Sequence, residues 1–157
     1  MQTIKLSDAN ARKMYPSASP EIKQILEDSF TKDFFSQKIT DRIKTFEDAC
    51  SALNKEPNDV LPDGVPADDT KSIVAYCKLI IIARALNEGW TPDWTDSSQY
   101  KWVPWFEHKS GFGLSYYVYV NWHSVTVVGS RLCFKSKELA EYAATQFADI
   151  YMDFLTL

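Results

Sequence analysis

Two histidines, three cysteines and a few paired acids are the first places to look for acid–base, nucleophilic or metal chemistry in this chain. His108 and His123 fall near strand ends or turns, and neither has partners at the spacing of an HExxH, HxH or His–Cys ligand set. They read as solvated turn histidines. Cys50, Cys77 and Cys133 are odd in number and widely separated, with no CxxC, so neither a zinc site nor a disulfide framework follows. Reduced, buried thiols in a cytoplasmic protein fit that pattern. The acid pairs Glu27-Asp28, Glu47-Asp48 and Asp68-Asp69 suit helix capping or solvated faces. Lys109-Ser-Gly-Phe-Gly113 reads as a hairpin turn, and GxSxG, GxxxxGK[ST] and GxGxxG are absent. These residues point to a protein that is not an enzyme, with no catalytic residue, no metal and no cofactor.

The aromatic residues are the remaining candidate. All five tryptophans (Trp90, Trp94, Trp102, Trp105 and Trp122) and eleven aromatic rings in all lie between Trp90 and Trp122. Such rings dominate binding hot spots and base-stacking platforms. They are equally the material of a core. The candidate interaction surface is Trp90, Trp94, Trp105, His108, Phe112, Tyr117 and Tyr119. A formal charge of −4 argues against wholesale nucleic-acid binding, which needs a basic surface. A local basic face stays open, with Lys101, Lys109, Arg131 and Lys135 as its contacts.

The elements that would position these residues divide at about residue 90. Upstream, Ser7-Asp8 can cap a short helix, and Ser19-Pro20-Glu21 starts another to about Phe30, with Ile22, Ile25, Leu26 and Phe30 on its apolar face. Phe34-Phe35 sit in a connector and are expected to plug onto the core. Thr45-Phe-Glu-Asp48 reads as a capping box. Asp68 or Asp69 caps a helix that is apolar around much of its girth from Ile73 to Leu86, and Gly89 stops it.

Downstream, the period changes to two. Residues 3–6 could add a short edge strand. Lys101–Glu107 is a strand, at an edge because of Pro104. Leu114–Trp122 is the second, Val125–Val128 continues the sheet or opens a new strand after a bend at His123-Ser124, and Arg131–Lys135 is the last. Ser136 caps one closing helix to Phe154. Met1–Asp8 contains no apolar signal-peptide core, and the apolar run Leu79–Ala83 is far short of the roughly 20 residues of a membrane span.

The segments Phe46-Glu-Asp-Ala-Cys50, Ala83-Arg-Ala-Leu-Asn-Glu-Gly-Trp90, Pro92-Asp-Trp94, Tyr100 to Phe106 and Gly129-Ser-Arg-Leu-Cys-Phe-Lys-Ser136 carry a resemblance over nearly the whole chain, from about Ile4 to Phe154. It is to a family of small proteins encoded by phages, prophages and mobile elements of Bacteroides-type gut bacteria. The resemblance implies a mobile-element context and assigns no functional residue. Residues 101–154, with Phe134-x-Ser136 leading into Ala140, also resemble the AP2-like DNA-binding domain at the N-terminus of phage integrases, whose strands approach the major groove. Leu139 stands where that pattern has an acid.

The expectation is therefore an α+β fold in one domain, residues 1–157. A helical subregion (1–89) packs on a three- to four-stranded antiparallel, aromatic-rich sheet with a closing C-terminal helix (94–157). Its function is that of a non-enzymatic, cytoplasmic, phage or mobile-element accessory protein that binds a protein partner or itself, with no membrane contact. The alternative is a nucleic-acid-binding module that uses the sheet.

Overall fold

The longest helix organises the molecule. In a computed structural model of the chain, which describes residues 6–108, 114–122 and 128–156, helix α6 (Thr70–Asn87) is preceded by five shorter ones. These are α1 (Asp8–Met14), α2 (Pro20–Phe30), α3 (Lys32–Ser36), α4 (Ile39–Arg42) and α5 (Phe46–Ala52). Strands β1 (Lys101–His108) and β2 (Leu114–Trp122) follow, and then helices α7 (Lys137–Gln146) and α8 (Ala148–Leu155).

Helix α6 buries Leu79, Ile82 and Leu86 together with Ala75, Ile81, Ala83 and Ala85. These residues surround the helix axis, so it must pack on several sides. Helices α5 and α8, α7 and the 3₁₀ turn Ser130–Leu132 all contact it. The buried core joins Ile43, Phe46 and Cys50 to Leu132, Phe134, Leu139, Phe147 and Tyr151 across this helix.

The local signals for the helices work as the side-chain chemistry requires. Ser7 accepts from the Asn10 amide at 3.3 Å and Ser19 from Ile22 at 3.4 Å. The Thr45–Asp48 capping box is complete: Thr45 Oγ1 accepts from the Asp48 amide at 3.1 Å, and Asp48 Oδ2 accepts from the Thr45 amide at 2.9 Å. Of Asp68 and Asp69, Asp69 holds the N-cap position of α6 but makes no side-chain capping hydrogen bond. They lie in a 3₁₀ turn that runs into the helix, and Thr70 donates to the Pro66 carbonyl at 2.8 Å. Termination uses Glu88 (φ 49°) as well as Gly89 (φ 88°), both left-handed.

Three expectations need correction. First, the described residues hold a two-stranded antiparallel ladder, β1–β2, not a sheet of three or four strands, so the fold is mostly helical and the α+β, aromatic-rich-sheet description does not apply. The expected strand Arg131–Lys135 is a 3₁₀ turn followed by one bridge, Trp102↔Phe134, with amide–carbonyl distances of 3.0 and 2.7 Å. The other edge of this segment is closed by a side chain. Asn87 donates Nδ2 to the Cys133 carbonyl at 2.8 Å, and its Oδ1 accepts from the Lys135 amide at 2.9 Å. Ser136 then caps α7 at once, which leaves no length for a ladder.

Second, the closing helix is two helices. The chain bends at Phe147 (φ −115°, ψ 30°), whose ring is buried at the elbow. Third, Phe34 and Phe35 belong to helix α3 and stack with Phe30 and Tyr15 in a small cluster of their own, away from the main core. Ile22 and Ile25, expected to face inward, are 44% and 64% exposed, and only Leu26 of that helix is buried. Residues 3–5, the 109–113 turn and residues 125–127 of the expected third strand lie outside the described residues.

Candidate functional site

The connector from α6 to β1 holds the first two tryptophans. Its backbone returns at once, with the Trp90 amide on the Asn87 carbonyl at 3.0 Å. Two aspartates then fold the loop on itself. Asp93 Oδ1 accepts from the Thr95 hydroxyl and amide at 2.7 and 2.8 Å, and Asp96 Oδ1 accepts from the Ser98 hydroxyl and amide at 2.6 and 2.8 Å. These bonds, from the side chains of Thr95 and Ser98 first, hold both carboxyls below their ordinary range. Trp94 is pinned by its indole N–H, which donates to Ser130 Oγ at 2.7 Å.

Lys101 lies beneath this loop and is fully buried. Its ammonium donates to the carbonyls of Asp96 and Gln99 at 2.9 and 2.7 Å and sits 5.5 Å from the Trp94 ring centre. As a candidate phosphate contact it is therefore already committed, and it serves to anchor the connector.

That connector, the end of α6 and the Ser130–Leu132 turn enclose a cavity of about 290 Å³. Arg84, Trp90, Thr91, Ser130 and Arg131 line it, with Ile80 and Asn87 behind. Two residues singled out in the sequence for different reasons, Trp90 and Arg131, meet here. Both arginines are exposed, and neither makes an ion pair among the described residues. Lys135 is nearby in sequence but is held by Glu88 at 3.2 Å, as is Arg42 at 2.7 Å. Sequence reasoning missed Arg84. Its signal is a cation in the last turn of a helix that is buried around much of its girth, where a charge must face solvent.

A second concavity, about 200 Å³, lies between β1 and α8. Its walls are apolar: Val103, Trp105 and Phe106 from the strand, Tyr151, Phe154 and Leu155 from the helix. Phe106 and Tyr151 pack with ring centres 4.8 Å apart. Trp105, 45% exposed, and Leu155, 39% exposed, stand at the rim. Burial pushes the Tyr151 phenol well above its ordinary value, so it is a neutral wall.

Of the remaining predicted residues, Trp94, Lys101 and Lys135 line neither concavity. Lys109 and Phe112 lie outside the described residues, as do the side chains of His108, Tyr117 and Tyr119. The β2 backbone has a register shift opposite Trp105 and Phe106, which leaves Tyr117 without a paired residue. Cys133 is fully buried, its thiol 3.1 Å from the Gly129 carbonyl and pushed up to about 11 by desolvation, with Lys101 pulling the other way. A thiol in that state is protonated near neutral pH and is no nucleophile. Among the described residues no group of three or more His, Cys, Asp or Glu could hold a metal ion, and no helix is long and apolar enough to cross a membrane. No known protein family, curated protein or solved structure matches the chain.

Proposed function

We propose that this chain is a non-catalytic binding protein, which captures an apolar side chain of a protein partner, or of a second copy of itself, in the groove between β1 and α8. One observation carries the reading. Trp105 is 45% exposed beside an open apolar groove, although its strand neighbour Val103 is 2% exposed. A large indole held at the rim of an apolar concavity is the usual anchor of an interface hot spot. Leu155 supplies the opposite rim from a different element, so the groove depends on the tertiary fold.

The reading also takes the protein to work in the cytoplasm. All three cysteines are unpaired, and Cys50 and Cys133 are buried, as in proteins kept in a reducing compartment. The sheet-borne nucleic-acid alternative loses support, because Lys101 is buried and Lys135 is paired to Glu88.

The test combines two measurements. Sedimentation over a wide concentration range should show self-association of the wild type that Trp105→Ala and Leu155→Asp each abolish. A photo-crosslinking residue at position 105 should, in cells, capture a partner whose yield falls with Leu155→Asp. A wild type that stays monomeric, together with a crosslinker that captures nothing, ends the proposal.

A further inference from the structure

The cavity walled by Arg84, Arg131 and Trp90 has a chemistry the apolar groove lacks. Two arginines from segments 47 residues apart in sequence line one space, and no carboxylate lines it. The acid nearest in sequence to Arg84, Glu88, is already shared between Arg42 and Lys135. A larger cavity of about 550 Å³ also carries two arginines, Arg12 and Arg42, but Asp8 and Asp48 line it as well. There the charges are balanced within the protein. At Arg84 and Arg131 they are not.

We infer that this cavity binds a nucleoside phosphate, with Arg84 and Arg131 on the phosphate and the Trp90 ring against the base. Guanidinium forks match phosphate oxygens in geometry as well as charge. Tryptophan offers the flat face on which any base can stack, without regard to sequence. Thr91 and Ser130 bring hydroxyls to the same lining; Ser130 Oγ accepts the Trp94 N–H and keeps its own proton to donate. The volume sits at the lower edge of the ~300–1,000 Å³ range of small-molecule sites, which suits one nucleotide. The site is also built on fixed parts. The 93–99 loop is stapled by its aspartates, Trp94 is tethered to Ser130, and Asn87 ties α6 to the segment after Arg131. Such preorganisation lowers the entropy lost on binding.

The nucleotide could be free or part of a single strand, and the probes separate these. Quenching of tryptophan fluorescence is measured for the full chain against AMP, UMP and an eight-residue oligothymidylate, with inorganic phosphate as competitor. Binding tighter than about 1 mM is expected for at least one of the three nucleotide probes. Arg84→Gln and Arg131→Gln should each weaken it about tenfold, as loss of a charged hydrogen-bond donor requires. Trp90→Leu should weaken nucleotide binding while leaving competition by inorganic phosphate in place. Equal binding of mononucleotide and oligomer assigns the site to free nucleotide; tighter oligomer binding that falls steeply with salt assigns it to a strand. Because both arginines are exposed, their variants should melt at the wild-type temperature, and a quench lost only through unfolding would show as a lower melting temperature. Absence of binding by all three probes, or binding that neither arginine variant weakens, overturns the inference.

Discussion

Two aromatic-rich regions of this protein are held in different ways. In the N-terminal region, helices α1 to α3 and the 3₁₀ turn Tyr15–Ser17 stack Tyr15 on Phe35 at 4.0 Å and Phe30 on Phe34 at 4.9 Å, with Arg12 laid 3.6 Å over Phe34. Every ring in that cluster comes from within about twenty residues, and none of the four is fully buried. The region joins the rest through the buried Ala11, contact of α1 with α5 and a Ser7–Asn54 hydrogen bond of 2.9 Å. The second region is the α6 core, where Phe134, Leu86, Phe147 and Tyr151 pack across long sequence separations and are almost inaccessible. The difference teaches that ring content does not measure contribution to stability. What counts is apolar area removed from water, and the N-terminal cluster leaves Ile22 and Ile25 in it.

Three substitutions test that contrast. Phe134→Ala should have the largest effect, a loss of about 3–5 kcal/mol, because it empties a site at the centre of the core and weakens the bridge to Trp102. Urea unfolding measures it directly. Asn87→Ala comes next. It strands the Cys133 carbonyl and the Lys135 amide, at about 1–3 kcal/mol for each group left without a partner. A midpoint unchanged from wild type would mean that water replaces the amide and that Asn87 is no clamp.

Phe35→Ala should be the mildest, below about 2 kcal/mol, since it removes half-buried ring pairs. Hydrogen exchange sharpens the same point: amides of α2 should exchange by local opening, well before those of α6. If Phe35→Ala cost as much as Phe134→Ala, the two regions would be one cooperative core and the contrast would fail.

Much of the helical layout was legible because its causes are local. Ser7, Ser19, Thr45 and Ser136 each accept from an amide three residues on, and that spacing is written in the chain. The wrap-around apolar pattern of Ile73 to Leu86 announced a central helix, which α6 is. The candidate surface was legible only in pieces. Trp90, Trp105 and Arg131 were singled out, but not their separation into a basic cavity and an apolar groove. Nothing in alternation or propensity says that Arg84 and Arg131 will line one cavity.

What the sequence determined by itself is what depends on neighbours within about four residues: caps, helix periodicity, and the extended alternation of β1 and β2. Only the tertiary structure decided the fate of residues 131–135. As a segment of alternating apolar residues it satisfies the pattern of a strand, yet one edge meets Trp102 and the other meets the Asn87 side chain. The same holds for Lys101, a cation buried because two carbonyls of a folded loop surround its ammonium. In each case a polar group finds its partner from a distant or looped segment. Backbone donors and acceptors must be satisfied by something, but which group satisfies them is set by where the chain returns, not by the residues on either side.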